Sequence, residues 1–147
     1  MSSRAVQRLR GSGWLPMAIL AALALALRLV GLGTKSLWVD EAYAAGLMQM
    51  DILELVRMSV SGSPHPPLAF LVIRLSAALF GTGEAGLRAL SAIASALAVV
   101  PLTSLVSRRL GKRAALCGGA AWALSPFAVS IGQEAWLYGI TAFLGFL

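Results

Sequence analysis

The chain has 147 residues, with twelve Lys and Arg against six Asp and Glu, a net charge of +6 and a pI near 10.8. Hydrophobic residues make up 59% and charged residues 12%, about half of the roughly 25% charge of a soluble domain, and the mean hydropathy is +0.82. These values argue against a soluble globular protein. Cations placed beside apolar runs, with no aromatic-interleaved basic surface, argue against nucleic-acid binding.

Residues 1–13 read as a basic cytoplasmic tail containing Arg4, Arg8 and Arg10. Residues 14–32 read as the first membrane span, uncleaved, with Trp14 at one interface and Arg28 near the far end, placed to snorkel to the headgroups. Residues 33–66 form the first sizeable polar region, and 33–86 the first outer loop. A turn signal, GLGTKS, precedes SLWVDEAYA at 36–44. From Glu41 to about Val60 the pattern is helical and amphipathic. Met48, Ile52, Leu55, Val56 and Ser59 fall on one side, and Asp51, Glu54 and Arg57 on another. A helix of this kind lies along a membrane surface.

The apolar stretch from Leu68 to Phe80 has thirteen residues, interrupted by Arg74. That is short of the roughly 20 needed to cross a bilayer core, so it reads as a second juxtamembrane helix. Charge counting agrees. With this helix in the interface, the next run, 87–106, returns to the cytoplasm. The cluster Arg108, Arg109, Lys112 and Arg113 then joins the basic tail inside, and all six acidic residues stay outside. GTGEAGLR is a turn, with Glu84 and Arg88 at the i, i+4 spacing of a helix pair. Residues 114–131 form the third span. Its small residues Ala114, Gly118 and Ala121, and also Ala115 and Gly119, permit close helix approach, and Pro126 is expected to kink it. Residues 137–147 begin a fourth span that eleven residues cannot complete. The expected fold is therefore all-α and polytopic, with about four transmembrane helices, the last incomplete, and two juxtamembrane amphipathic helices in the outer loop. The single Cys117 excludes an intramolecular disulfide and reads as a packing residue, and the lone His65 excludes a multi-histidine metal site.

This topology gathers four polar groups on the outer face: Asp40 with Glu41, His65 with Pro66 and Pro67, Glu84 with Arg88, and Gln133 with Glu134. Each has an ordinary explanation. The acids can complement a helix dipole, the prolines suit a helix start, Glu84 and Arg88 can be a structural pair, and Gln133 and Glu134 can be a solvated helix end. Ionisable groups at a membrane boundary nonetheless often mark a functional site.

The order of the motifs carries more information. SLWVDEAYA (36–44), HPPLAFLVIRLSAALFG (65–81), GEAGLRALSAI (83–93), SRRLGKRAAL (107–116) and ALSPFAVSIGQEAWLYG (123–139) together resemble the N-terminal membrane module of GT-C type glycosyltransferases. These include the protein O-mannosyltransferases, the lipid A aminoarabinose transferases and family 39-like relatives. The resemblance implies transfer of a sugar from a polyprenyl-phosphate donor to a protein, lipid or glycan acceptor at the outer face of the plasma membrane, without a metal or other cofactor. It implies Asp40 and Glu41 as the catalytic carboxylates, one of them taking the acceptor hydroxyl proton. His65, Arg74, Gln133, Glu134 and Tyr138 are implied as substrate-binding, with Pro66, Pro67, Glu84, Arg88 and Pro126 structural. Many relatives read Gln-Glu-Ala-Arg-x-Tyr where this chain has Trp136, so a phosphate or sugar contact there is lost or supplied elsewhere. The resemblance further implies that residues 14–147 are one module of a longer enzyme. The alternative is a non-catalytic membrane or lipid-binding protein derived from the same superfamily.

Overall fold

The computed structural model describes residues 14–62 and 65–147. The expected tail at 1–13 lies outside them. Among the described residues every regular element is helical and there is no strand. In chain order the helices are α1 (Trp14–Leu29), α2 (Val39–Gly46), a 3-10 turn (Leu47–Gln49), α3 (Ile52–Ser61), α4 (Pro67–Phe80), α5 (Glu84–Leu97), α6 (Val99–Leu124), α7 (Pro126–Gly132) and α8 (Tyr138–Gly145). The segment Glu84–Leu124 is long and apolar enough to cross a membrane, and α1 and α4 are shorter apolar helices.

Helix α6 is two limbs. Gly111 has φ 85 and ψ 172, a left-handed conformation open to glycine, and it reverses the chain within one residue. Past it, Gly119 packs against Thr103 and Leu20, and Gly118 faces Val106. The loop expected around 107–113 is thus a bare hairpin tip. The first limb continues α5 through Ala98, which is itself helical. The expected span 87–106 is therefore the middle of a longer helical run. The third expected span is broken, and more completely than by a kink. Ser125 turns extended, and its hydroxyl caps α7 by accepting from the Ala128 amide. Pro126 takes the first helical position, where its missing N–H costs nothing.

The long amphipathic helix expected from Glu41 to Val60 is also divided. Asp51 adopts φ −60 and ψ 145 and accepts from the Leu53 amide. An Asp N-cap of this kind is worth about 1 kcal/mol, so a new helix starts where the pattern alone runs on. Pro66 and Pro67 start α4 as expected, with Pro66 extended and Pro67 first in the helix.

The small-residue face of α6 forms at Ala115, Gly119 and Ala123, all buried. Cys117, two positions from Gly119 on the opposite side, is exposed and is not a packing residue. Ala123 meets Ala24 of α1 in a cluster with Ala96 and Val99. Association inside a bilayer gains little from apolar burial and relies on close packing, and these residues supply it. The second cluster is chemically different. Leu55 of α3, Phe70 and Ile73 of α4, Leu87 of α5 and Trp136 bury large side chains together. Each contributes about 1.5–3 kcal/mol when removed from water, which holds the short helices onto the bundle.

The two ends of the bundle are distinct. Arg88 and Arg108 lie twenty residues apart on one helical run, about 30 Å at 1.5 Å per residue. The start of α1, at Pro16 and Met17, stands beside Ser107 and Lys112 at the basic end. The end of α1, helices α2 to α4 and the turn at 133–137 gather at the other.

Candidate functional site

The centre of the acidic end is Arg88. All five of its N–H donors are used. Nε donates to Glu41 Oε1 at 2.9 Å and Nη2 to Glu41 Oε2 at 2.6 Å. The remaining donors reach the carbonyls of Leu32, Lys35 and Ser36 at 3.0, 2.8 and 3.2 Å. Glu84 is therefore not the hydrogen-bonding partner of Arg88, as the i, i+4 spacing predicts. It stays exposed in the first turn of α5, where an acid favours the helix dipole. Arg88 instead reaches 47 residues back to Glu41.

Glu41 is 1% exposed. It is the third residue of α2, so its carboxylate turns back to accept from the Trp38 amide at 3.3 Å. It also accepts from the Ala135 amide at 2.6 Å. One carboxylate thus joins α2, α5 and the 133–137 turn. Burial works to raise the Glu41 carboxyl. The hydrogen bonds from Arg88 and Ala135, the Arg88 charge and the Trp38 amide outweigh it, and the group sits below its ordinary value.

Two carboxylates flank this node. Asp40 precedes Glu41, is partly exposed and makes no side-chain hydrogen bond or ion pair with the described residues. Glu134 precedes Ala135, whose amide Glu41 holds, so it too is confined to the neighbourhood. Burial first, and then the Glu41 charge, raise the Glu134 carboxyl, and Arg88 offsets part of this. The two acids therefore act oppositely on stability. The lowered Glu41 contributes stability that is present above 4.5 and lost as pH falls through its folded value. The raised Glu134 contributes stability that is present below 4.5 and lost as pH rises through its folded value. Glu134→Gln is accordingly expected to raise the unfolding temperature in detergent near neutral pH and to leave it almost unchanged at about pH 4. An equal shift at both would show that the charge of Glu134 is not the cause.

The other expected site residues are nearby, and several are engaged by the fold. The Gln133 amide donates to the carbonyls of Arg28 and Val30 at 3.2 and 2.8 Å. It thereby satisfies the open end of α1, leaving only its carbonyl oxygen for a ligand. Arg74 donates to the Met50 carbonyl at 2.7 Å, fixing the break before α3. The His65 carbonyl accepts from Ser59, and its ring meets Trp136 edge-on at 4.6 Å. Tyr138 is 43% exposed at a shallow groove of about 570 Å3, which Pro66, Ile131, Trp136, Thr141 and Phe146 also line. Trp136 is 8% exposed and packs with Phe70 and His65. Among the described residues no three His, Cys, Asp or Glu side chains form a group that could hold a metal ion.

Arg28 does not snorkel. It is fully buried. Nε donates to Ser95 Oγ at 2.8 Å, and the guanidinium reaches the carbonyls of Ala24, Ala123 and Trp122 at 3.1, 3.4 and 3.3 Å. The last two close α6, whose terminal carbonyls have no helical donor and attract a cation. Trp122 lies under the guanidinium at 5.9 Å and donates its indole N–H to the Ser95 carbonyl. The signal for this role was an arginine inside an apolar run; its partners, 67 and 94 residues away, gave none.

Residues 64–144, more than half of the chain, match the dolichyl-phosphate-mannose-protein mannosyltransferase family. No curated protein and no solved structure gives a significant match.

Proposed function

The chain belongs to the dolichyl-phosphate-mannose-protein mannosyltransferase family, and from that premise we propose that it transfers a sugar from a polyprenyl-phosphate donor to an acceptor at the outer face of the plasma membrane. Membership makes it a mannosyltransferase-like member of a superfamily of membrane glycosyltransferases. In the proposed arrangement α1, residues 87–106, the broken run 114–131 and α8 are embedded, and the basic end is cytoplasmic. Helices α2 to α4 lie at the outer surface. The start of α4 touches Trp136 through His65, and its end leads straight into Glu84, so both ends stay on the acidic side.

The observation that carries the reading is the division of labour within the acidic pair. Glu41 is saturated by four donors and cannot take a proton without breaking the node. Asp40, fixed by its neighbour and open to solvent, is the group able to accept the proton of an acceptor hydroxyl attacking the anomeric carbon. Such general-base assistance is worth about 10²–10⁴ in rate. Glu134 supplies a second carboxyl that is protonated more readily than an ordinary one, suited to donating a hydrogen bond to a sugar hydroxyl or phosphate oxygen.

Asp40→Asn is expected to lower transfer from radiolabelled polyprenyl-phosphate mannose, assayed in native membranes, by about 10²–10⁴ while leaving the unfolding temperature unchanged. Undiminished turnover would remove Asp40 from the mechanism. Trp136 favours a second reading, because it fills an apolar cluster and offers no cation to a phosphate. On that reading the chain binds the lipid-linked sugar and does not turn it over. Retained donor binding with no transfer by the parent protein would establish it.

A further inference from the structure

At the end of the molecule opposite Asp40, a cavity of about 220 Å3 opens between the start of α1 and the two limbs of α6. Pro16 and Met17 form one wall, Ser104 and Ser107 come from the first limb, and Lys112 and Leu116 from the second. The one-residue reversal at Gly111 creates this placement, because it sets Lys112 directly across from the Ser104–Ser107 turn. The Thr103 and Ser107 hydroxyls are spent on the Val99 and Ser104 carbonyls, each at 2.8 Å, which leaves Ser104 and Lys112 as the lining residues with polar side chains not engaged within the fold.

The charge around it is one-sided. Arg108, Arg109 and Arg113 accompany Lys112 within six positions, and all four are exposed. Among the described residues the only ion pair is Glu41–Arg88 at the far end, so none of the four has a carboxylate partner. A second cavity of about 320 Å3 shares Ser104 with the first and has Arg108 in its wall. A basic cluster alone records sidedness. Here one cation has a walled position, with a hydroxyl beside it and apolar side chains leading away along the helices.

We propose that the cleft at the hairpin tip binds the phosphate headgroup of an anionic membrane phospholipid. The ammonium of Lys112 acts as a compact point charge on the phosphate. Ser104 donates a hydrogen bond to it, and Pro16, Met17 and Leu116 line the path of the glycerol and first acyl carbons. Basic pockets between helices at the cytoplasmic surface suit this chemistry, each cation near an anionic headgroup being worth about a five-fold change in affinity. Every group invoked lies at the end away from Asp40, so the inference stands independently of the transferase reading.

Native mass spectrometry of the chain in mild detergent tests it, with phosphatidylglycerol and phosphatidylcholine of identical acyl chains supplied at equal concentration. Phosphatidylglycerol adducts should dominate. Lys112→Gln should weaken them about five-fold, whereas Lys112→Arg should retain them. Ser104→Leu, which fills the cleft without changing charge, should also weaken them. Arg109→Gln, outside the cavity wall, should leave them nearly unchanged. Unfolding temperatures measured alongside confirm that each variant is folded. Equal binding of the two lipids would overturn the proposal, as would equal losses in Lys112→Gln and Arg109→Gln, which would signify a diffuse field. Displacement of the lipid by inorganic phosphate at comparable concentration would identify a free anion as the ligand and overturn it too.

Discussion

Arg88→Ala is expected to lower the unfolding free energy by about 3–5 kcal/mol, the usual effect of removing one partner from a buried pair, and to abolish the proposed sugar transfer with it. The cost exceeds that of one lost salt bridge. Glu41 remains 1% exposed with its charge uncompensated. The carbonyls of Leu32, Lys35 and Ser36 lose their shared donor. Those carbonyls set the path from α1 into α2, and therefore the position of Asp40. Arg88→Lys should fail too, because an ammonium cannot reproduce the planar fork that serves Glu41. The combined variant Glu41→Leu, Arg88→Met separates energy from position. Apolar replacement removes the stranded charge but still leaves the Leu32, Lys35 and Ser36 carbonyls without their donor, so this protein should unfold at a temperature between Arg88→Ala and the parent yet still lack transfer. Full activity in the double variant would show that the node only adds stability. Thermal unfolding in detergent beside the transfer assay reads both effects.

Arg28→Ala is expected to cost at least about 3 kcal/mol, since hydrogen bonds to a charged group contribute roughly 1.5–3 kcal/mol each and are not fully additive. No acid is stranded here. The penalty comes from the carbonyls of Trp122 and Ala123, which lose their donor at the end of α6, and from Ser95, which loses its bond to Nε. Because α6 stops at Leu124 and α7 starts at Pro126, the freed carbonyls adjoin the break at Ser125. Backbone hydrogen exchange in detergent should therefore accelerate at the break more than elsewhere. An unchanged exchange pattern with full stability would show that the α6 end is satisfied without Arg28.

These two arginines also mark where the sequence stopped being informative. Local chemistry was legible: the Pro66–Pro67 helix start, the turn at Gly81–Gly83, and the close packing of Ala115 and Gly119 all rest on neighbouring residues. The gathering of Glu41, His65, Arg88 and the 133–137 turn at one end followed from apolar run lengths and the placement of cations. Which of Asp40 and Glu41 points inward did not. The answer depends on α2 beginning one residue after Trp38, which makes Glu41 the third helical residue and turns it back on the chain. A shift of one position would exchange their roles. Arg88 offered a nearby acid, Glu84, and the structure chose a distant one, because Glu41 is buried and Glu84 has water. Arg28 lay close enough to the end of its run to suggest escape to the headgroups, and only the fold shows the helix terminus that holds it.

The reversal at Gly111 bears on how the protein is made. A turn of a single residue leaves no slack, so in the proposed arrangement the two limbs enter a bilayer as one wedge, with Arg108, Arg109, Lys112 and Arg113 at the tip that stays behind on the cytoplasmic side. Drawing that tip through the hydrocarbon would cost about 10 kcal/mol for the four charges together. Once synthesised with its tip on one side, the wedge has no practical route to the other. The choice of side is made during insertion and is irreversible afterwards, and Asp40, whose neighbour Glu41 is held by Arg88 some 30 Å along that helical run, inherits it.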